Sequence, residues 1–398
     1  MRIVILNWSA GENDPFTYFS RQWQDRLRTI GHEVHIVPLA QQTILAVASL
    51  HHEVPIDLAF CWQGLGSDLV PDGFEQPLWE LLRVPLICLH GDHPCYNPAN
   101  HKQRTPFVLH LYGPASHANS ANRLIPRDTP AIEGIYPSLF EKAAVQSAFE
   151  GEFFVLSKNI QDLADIRSEW KARYDADIYT LLTGMAGAIE RAYLDGNHVN
   201  HHDVILDRSP ARLREQILAG QLDATTADWY FGVTRELDRV HRIVAATFIL
   251  DALSNVPIHV YGRGWERYKA RGNANHQFFA ADTVENSGHH YASAWGILDV
   301  AASNDMLHDR TYRAMQLGTG FLLSSAWMRG HPLHDDFADL FFGGNAEDLV
   351  RKVAIVQRDP AAHRASCATF EARLEAATLS TAAFLEQIEL HVAVRSLR

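Results

Sequence analysis

The chain has 398 residues, which is long for a single domain and favours two. Hydrophobic residues make up 47% of it and include 9 tryptophans, so the chain can build packed cores and is not intrinsically disordered. The formal net charge of -12 argues against a general binder of nucleic acid or of anionic membranes, although a local basic pocket is compatible with it. No signal peptide and no apolar run long enough to span a bilayer is recognisable, which predicts a soluble, cytoplasmic protein.

Cysteine usage is consistent with that compartment. The four cysteines lack the spacing of a zinc finger, and three of them lie in or beside apolar runs. Free, buried thiols in a reducing cytoplasm are therefore expected. The cysteines are Cys61, Cys88, Cys95 and Cys367.

The first forty residues have the pattern of a strand, a helix and a second strand. Residues 3–6 form a short apolar strand, and a polar loop then leads to Asp14 and Pro15, which suit the N-cap and first position of a helix. Gly31 ends this helix and residues 34–37 form the next strand, so a parallel α/β sheet is predicted. The apolar face of the helix, at intervals of three or four residues, consists of Phe16, Phe19, Trp23, Leu27 and Ile30.

The alternation continues with apolar strands at residues 56–60, 84–89 and 107–111. Polar loops follow the first two of these strands, at residues 62–66 and 90–94. Because both loops follow the carboxyl ends of strands, we expect both to line the ligand-binding edge of an N-terminal sheet.

The middle of the chain, from residue 160 to about residue 228, has a mostly helical pattern. Gly184, Gly196 and Pro210 are the expected breaks in it. No short internal repeat or low-complexity tract is visible in the chain. The helical region therefore separates two parts of the sequence with a different pattern.

A second α/β alternation follows this helical region. A helix with an apolar face precedes strands at residues 256–261 and 276–279, and a helical tail begins near residue 361. Two α/β domains with a helical elaboration account for the whole pattern. The apolar face of the helix consists of Leu237, Val240, Val244 and Phe248.

Residues 303–325 have the pattern of an anion site. An apolar strand leads into a polar loop, then a short helix that Asp309 can cap, and then Gly318, which suits the left-handed turn that ends helices. Arg310 and Arg313 are three residues apart and so share one face near the start of that helix. Helix N-terminal amides and two guanidinium groups suit a phosphate or diphosphate. An ordinary βαβ unit with solvated arginines has the same pattern, so this stretch alone leaves both interpretations open.

The order of several short motifs in about the last 160 residues resembles a known family. Tyr-Gly-Arg-Gly-Trp at residues 261–265 follows a strand, and residues 303–304 and the segment 308–315 precede Gly318. This arrangement resembles the C-terminal domain of GT-B glycosyltransferases, in the branch with a group-1-type C-terminal domain that is similar to spore-maturation-type and lipopolysaccharide-assembly glycosyltransferases. Later residues that fit the same domain are 341–342, 345–350 and 359–360.

The resemblance implies an α/β protein of the GT-B type, with two Rossmann-like domains facing across a cleft and a helical elaboration. It implies an N-terminal, acceptor-side domain at residues 1–150. A nucleotide-sugar domain would occupy residues 151–375, including the helical stretch 160–228. A C-terminal helix at residues 376–398 would pack back on the N-terminal domain.

The resemblance also assigns donor-binding residues by position. The loop at residues 261–265 would lie beside the nucleotide, Arg310 would contact phosphate or a sugar carboxylate, and two further residues would line the cleft. A tight turn without a ligand is the alternative for the loop glycines, and packing is the alternative for Trp265. The donor-binding candidates are Tyr261, Gly262, Arg263, Gly264, Trp265, Asn304, His308, Arg310 and Arg313.

Arg313 departs from the family pattern. Many retaining members have glutamate at this position, and its carboxylate accepts hydrogen bonds from the nucleotide ribose, whereas arginine has no acceptor. Either the ribose is held differently here, or the donor is not a standard nucleoside-diphosphate sugar. A CMP-linked acidic sugar would suit two arginines because it adds a carboxylate.

The catalytic candidates are Asp92 and His93, with Glu12 as a weaker third. An inverting transfer needs a base for the acceptor hydroxyl, and a turn shaped by glycine and proline can direct two titratable groups into a cleft. His90 adds a further titratable group to the same segment. Capping of the turn by Asp92 is the structural alternative.

Histidine clusters raise the question of a metal. His198, His201 and His202 lie near Asp203 in a polar segment that could ligate one. Solvated loop histidines are the commoner explanation, and GT-B enzymes generally do not need a metal bound by an acidic motif. We therefore expect no metal and no cofactor, since the nucleotide-sugar is a substrate.

The sequence thus predicts a metal-independent glycosyltransferase that moves a hexosyl or acidic sugar from a nucleotide-sugar donor to a polysaccharide, lipid-linked or protein acceptor. The setting expected for it is cell-surface glycan biosynthesis, with peripheral association with a membrane-bound assembly complex and no nucleic-acid partner. The alternatives are a nucleotide-sugar epimerase of the same fold and a degenerate GT-B binding or assembly protein without catalysis. Dinucleotide-dependent oxidoreduction is disfavoured, because neither candidate loop has the Gly-x-Gly-x-x-Gly spacing.

Overall fold

The chain divides into two compact units. The N-terminal unit comprises Met1–Glu141, Ala219–Asp228 and Glu375–Arg398, and the C-terminal unit comprises Lys142–Leu218 and Trp229–Leu374. The predicted boundaries of the domains stay predictions. The computed structural model describes residues 1–8, 15–102, 105–113, 115–125, 131–133, 151–197, 201–220, 222–281, 287–300, 307–324, 332–377 and 380–396.

The N-terminal unit is built on a parallel sheet. Its elements up to residue 133 are β1 (Arg2–Asn7), α1 (Pro15–Thr29), β2 (Glu33–Pro38), α2 (Thr43–Glu53), β3 (Leu58–Trp62), α3 (Leu78–Leu82), β4 (Leu86–His90), a 3-10 turn (Pro98–His101), β5 (Val108–Tyr112), α4 (Ala115–Leu124) and β6 (Ile132–Glu133). The sheet has the strand order β2-β1-β3-β4-β5-β6, with every neighbouring pair parallel. The predicted strands are confirmed, with ends that differ by at most two residues.

The C-terminal unit is built on a second parallel sheet. The remaining elements of the chain are β7 (Phe154–Ser157), α5 (Leu163–Arg173), α6 (Ala176–Leu194), α7 (His201–Arg208), α8 (Ala211–Ala219), α9 (Ala224–Ala252), β8 (Ile258–Tyr261), α10 (Glu266–Lys269), β9 (His276–Phe279), α11 (Ser287–Ser293), β10 (Gly296–Asp299), α12 (Asp309–Gln316), β11 (Phe321–Ser324), α13 (Pro332–Asp336), a 3-10 turn (Ala338–Leu340), β12 (Phe341–Phe342), α14 (Ala346–Arg358), α15 (Pro360–Ala377) and α16 (Thr381–Ser396). The sheet order is β12-β11-β10-β7-β8-β9, again all parallel.

Helix α16 completes the core of the N-terminal unit. Its Phe384 packs edge-on against Trp23 of α1, with ring centroids 5.8 Å apart. Both belong to the apolar layer on one face of the N-terminal sheet, together with Leu385 and Ile388. Alternate strand residues point to opposite faces, so the second face carries its own layer, in which Trp79 is fully buried. The last helix of the chain is therefore part of its first core.

The helical region between β7 and β8 is fixed by buried polar contacts as well as by apolar packing. Trp170 of α5 donates an indole hydrogen bond to Glu236 of α9 at 2.8 Å, and the Tyr193 hydroxyl lies 2.8 Å from His241 Nε2. The predicted breaks at Gly196 and Pro210 are confirmed, because α6 and α7 end just before them.

The predicted break at Gly184 was wrong. This residue lies in the middle of α6. Glycine costs a helix interior about 1 kcal/mol relative to alanine, and the burial of neighbouring apolar side chains outweighs that cost. The buried side chains of α6 include Leu182, Met185 and Ile189.

Two sequence expectations concern the whole chain. All four cysteines are buried and none is joined in a disulfide, as expected. In the described part of the chain, no helix combines the length and the apolar character that crossing a bilayer requires.

Candidate functional site

The carboxyl edge of the C-terminal sheet carries a group of buried charges. Lys158 directly follows β7, Tyr261 ends β8 and Asp299 ends β10. These three strands are neighbours in the sheet, with β7 in the middle. The carboxyl ends of parallel strands are where open α/β sheets bind ligands.

Lys158 is a buried lysine at this edge. Only 4% of the residue is exposed, and its Nζ donates a hydrogen bond to the Val300 carbonyl oxygen at 3.1 Å. Burial lowers the pKa of the ammonium group well below its usual value, and the positive charges of Arg242 and Arg310 lower it further. An anion bound beside this amine would raise its pKa again. Sequence analysis missed this residue.

Two carboxylates lie in the same neighbourhood and oppose that effect. Asp299 is 3% exposed and accepts a hydrogen bond from Thr311 Oγ1 at 2.6 Å, which ties the first turn of α12 to the end of β10. Burial would raise the pKa of Asp309, but His308 and Arg310 outweigh it and hold that pKa well below its usual range. Asp309 is therefore ionised, and the site contains both signs of charge.

Helix α12 begins beside this group with His308, not Asp309, as its N-cap. The His308 Nδ1 accepts a hydrogen bond from the Arg310 amide at 3.3 Å, and its backbone is extended. The prediction that Asp309 is the cap was wrong, because Asp309 is already helical, although its carboxylate accepts from the same amide at 2.8 Å. Gly318 closes the helix with a φ of 63°, as predicted.

The two arginines of α12 contact different ends of the helix. Arg310 Nη1 lies 3.3 Å from both ring nitrogens of His308, at the start of the helix. Arg313 donates to Gln316 in the last turn, and its guanidinium lies 2.9 Å from the Cβ position of Gly288. The structure therefore brings Arg310 to the charge group around Lys158, whereas Arg313 is engaged elsewhere.

The Gly-Arg-Gly loop packs against the chain that follows β7. A Cβ at Gly262 would lie 2.0 Å from the Lys158 carbonyl oxygen, and one at Gly264 would lie 2.0 Å from the Ile160 carbonyl oxygen. Both glycines have positive φ, 148° and 88°. Only glycine permits so close an approach, so these two positions have a structural reason that needs no ligand.

The aromatic members of the predicted loop are packed, while its arginine is exposed. Tyr261 stacks on Phe279 with ring centroids 4.9 Å apart, and Trp265 donates its indole hydrogen bond to the Lys158 carbonyl oxygen at 2.9 Å. Arg263 is exposed, although its amide donates to a neighbouring asparagine side chain at 3.0 Å. The loop thus holds the backbone of Lys158 in place and leaves one exposed guanidinium at the sheet edge.

In the N-terminal unit, the structure separates Asp92 from His93. Asp92 is exposed and accepts a hydrogen bond from Gln63 Nε2 at 3.0 Å. His93 is 5% exposed, and its Nδ1 accepts the Cys95 amide at 3.2 Å, as in a turn cap. Gln63 has a φ of 53°, an uncommon value for a residue other than glycine. Sequence analysis missed Gln63. Its contact with Asp92 joins the ends of two different strands, and no sequence pattern indicates such a contact.

His90 is not a loop residue as predicted. It ends β4, is fully buried, and its Nε2 lies 2.9 Å from His110 Nδ1 on β5. His201 and His202, expected in a solvated loop, instead start α7; His201 is 1% exposed and His202 Nδ1 lies 2.8 Å from the Tyr230 hydroxyl. Packing between strands and helices buries both groups. The predicted Glu12, Asn304 and His198 lie outside the described residues.

No protein-family model and no curated protein matches the sequence. Several solved structures match the fold over nearly their whole lengths, including the following two. An α-glucosyltransferase in complex with UDP and a 13-mer DNA containing an HMU base has a TM-score of 0.51 at 10% identity, covering 98% of each chain. Sucrose-phosphate synthase from Thermosynechococcus elongatus has a TM-score of 0.50 at 11% identity, covering 100% of each chain. The predicted α/β fold of the GT-B type is confirmed by these likenesses.

Proposed function

We propose that the protein is a glycosyltransferase that takes a sugar from a nucleotide-sugar donor. The observation that carries this proposal is the buried Lys158, placed with Arg310 and the start of α12 at the carboxyl edge of the C-terminal sheet. A lysine in that setting loses solvation, and the charges of Asp299 and Asp309 do not restore its pKa to the usual value, whereas a donor phosphate would add negative charge beside it. The GT-B fold supports the same reading of the C-terminal unit as the donor side.

In this proposal the donor diphosphate binds Lys158 and Arg310, and the exposed Arg263 reaches it from the loop after β8. The packed glycines and Trp265 position the lysine backbone rather than touching the sugar. Departure of the nucleotide is assisted by the fixed positive charges, which stabilise the leaving phosphate without reorganisation. Asn304, His308 and Arg313 remain proposed donor contacts from the family resemblance.

The acceptor side belongs to the N-terminal unit in the same proposal. Asp92 is the proposed base for the acceptor hydroxyl, because it is exposed and held by Gln63, whereas His93 stabilises the turn. The acceptor is a polysaccharide, a lipid-linked glycan or a protein, and the net charge of -12 disfavours a nucleic acid. A transfer step that uses no metal, a role in cell-surface glycan synthesis and peripheral association with a membrane assembly complex are parts of the proposal.

Binding of UDP, GDP, dTDP, ADP, CMP and their sugars tests the donor site by thermal shift and calorimetry. We expect one nucleotide class to bind, and Lys158→Met to weaken it about 10- to 100-fold, since a hydrogen bond to a charged group contributes about 1.5–3 kcal/mol. The stability of this variant should be unchanged or higher, because it removes a buried amine.

Lys352 offers a matched control. It is also a buried lysine, 7% exposed, but its Nζ donates to the carbonyl oxygens of Ala338 and Phe341 and lies 3.4 Å from Asp348. Lys352→Met should lower stability and leave donor affinity unchanged. Equal loss of affinity in both variants, or no nucleotide binding at all, would overturn the proposed donor site. Binding without transfer or hydrolysis would favour the non-catalytic alternative, and an epimerised sugar product would favour the epimerase.

A further inference from the structure

Three potential metal ligands meet inside the N-terminal sheet. They are Cys88 and His90 on β4 and His110 on β5, all buried, with their ligand atoms within 4.8 Å of one another. The closest pair is His90 Nε2 and His110 Nδ1, 2.9 Å apart. The sulfur of a further buried cysteine, Cys61 on β3, lies 3.4 Å from Cys88 Sγ.

The strand register explains why these side chains meet. Cys61 is paired with Cys88 on the neighbouring strand, and Cys88 is paired with His110 on the next one. His90 follows Cys88 by two residues and therefore points to the same face of the sheet. Four ligand-type side chains thus lie side by side on one face of three adjacent parallel strands, close to the carboxyl edge.

We propose that Cys61, Cys88, His90 and His110 bind one zinc ion. Two thiolates and two imidazoles are a ligand set of structural zinc sites, which are closed and four-coordinate. Tetrahedral zinc, at about 2.0–2.1 Å from nitrogen and about 2.3 Å from sulfur, separates its ligand atoms by about 3.3–3.8 Å. In such a site two sulfur ligands lie about 3.8 Å apart and two nitrogen ligands about 3.3 Å apart. The sulfur pair at 3.4 Å and the nitrogen pair at 2.9 Å therefore each have to open by about 0.4 Å.

Charge balance supports the inclusion of Cys61. Binding releases one proton from each thiol to solvent, and the two resulting thiolates neutralise the two positive charges of the ion. The centre then carries no net charge, which is what burial in an apolar layer requires. With Cys88 as the sole thiolate, the buried centre would keep one positive charge.

The proposed zinc site lies next to the segment that carries the proposed base Asp92, but it does not include that segment. His90 is the last residue of β4, and the segment with Asp92 and His93 begins two residues later. A zinc ion would hold the ends of β3, β4 and β5 together and fix the point from which that segment leaves the sheet. The inference stands on this geometry and does not depend on the proposed function.

The test is the metal content of the full chain, purified without chelator or affinity-tag histidines and measured by inductively coupled plasma mass spectrometry. We expect one zinc ion per chain in the wild type, and a loss of most of it in Cys88→Ser and His110→Gln. Cys95→Ser is the matched control, because Cys95 is also buried in the N-terminal unit but lies outside the four ligands. It should keep the full zinc content.

A second measurement uses the wild type alone, so it does not depend on the folding of variants. X-ray absorption at the zinc edge should show two sulfur and two nitrogen neighbours, and cobalt substitution should give a thiolate-to-cobalt charge-transfer band. A shell of oxygen and nitrogen only would overturn the proposal. So would a fully folded protein that takes up no zinc, with the His90–His110 contact serving as an ordinary hydrogen bond. A Cys61–Cys88 disulfide in the native protein would overturn it as well.

Discussion

Replacement of His363 should remove a measurable part of the acid sensitivity of the C-terminal unit. The residue lies on α15, is 9% exposed, and its Nε2 is 3.6 Å from the Cys367 sulfur. Burial lowers the pKa of His363 from 6.5 to about 4, although a hydrogen bond with the Phe321 backbone partly opposes this. The unfolded chain therefore takes up a proton near pH 6.5, while the folded chain does so only near pH 4.

The sign and size of the effect follow from these two values. As the pH falls below 6.5, the unfolded state binds the extra proton, and the free energy of unfolding drops by up to about 1.36 kcal/mol per pH unit. The loss contributed by His363 is about 2 kcal/mol at pH 5.0 and levels off near 3.4 kcal/mol below pH 4, where the folded state is protonated as well.

Urea unfolding at pH 7.5 and at pH 5.0 measures this loss, and hydrogen exchange of α15 peptides reports the C-terminal unit separately. His363→Gln should lose about 2 kcal/mol less than the wild type between the two pH values. The control is His289→Gln, because His289 is exposed on α11, and this variant should behave as the wild type. Equal losses in the wild type and in His363→Gln would refute the reasoning.

Two further predictions concern stability and use paired controls. Gly264→Ala should lower the free energy of unfolding by about 2–4 kcal/mol in urea titration, because its Cβ would meet a backbone carbonyl and its φ is positive, whereas Gly184→Ala should raise it by about 0.5–1 kcal/mol. A neutral Gly264→Ala would contradict the close approach. Glu236→Gln should lower the free energy of unfolding by about 1–3 kcal/mol, because its 2% exposed carboxylate accepts the Trp170 indole hydrogen bond among several arginines. Glu190→Gln should lower it by less than about 1 kcal/mol, because the Glu190 side chain is 31% exposed. Equal costs would show that burial is not the deciding factor.

The longer strands of both sheets could be predicted because buried parallel strands are continuous apolar runs, whereas the two-residue edge strands β6 and β12 were not predicted as strands. Their ends were less certain for local reasons. The strand predicted at residues 256–261 begins at Ile258, since Pro257 before it has no amide to donate to a sheet ladder. The strand predicted to end before His90 in fact includes His90. A polar histidine on its own indicates a loop, but this ring is buried against His110 of the neighbouring strand.

The site was harder to predict than the fold. Lys158 follows an apolar strand like many surface lysines, and only contacts from far along the chain bury it, including the Val300 carbonyl 142 residues away. The pairing of Asp92 with Gln63 likewise joins two loops from different strands. The spacing of residues along a sequence shows which side chains share a face of one helix or strand. The burial of a charged side chain depends on contacts from several helices and strands, which the spacing does not show. The Gly-Arg-Gly pattern could be recognised in the sequence, but its glycines are explained by close backbone packing and not by a bound ligand.

The position of α16 has a consequence for the order in which this protein can fold during synthesis. The N-terminal sheet is translated first, but part of its apolar layer is supplied by Phe384, Leu385 and Ile388. Until those residues leave the ribosome, Trp23 has no Phe384 against it, and the first unit exposes apolar surface while the whole C-terminal unit is being made. The C-terminal unit can therefore be completed before the unit that precedes it. The nascent chain would then depend on chaperones most during the interval in which the N-terminal sheet has been made but α16 has not.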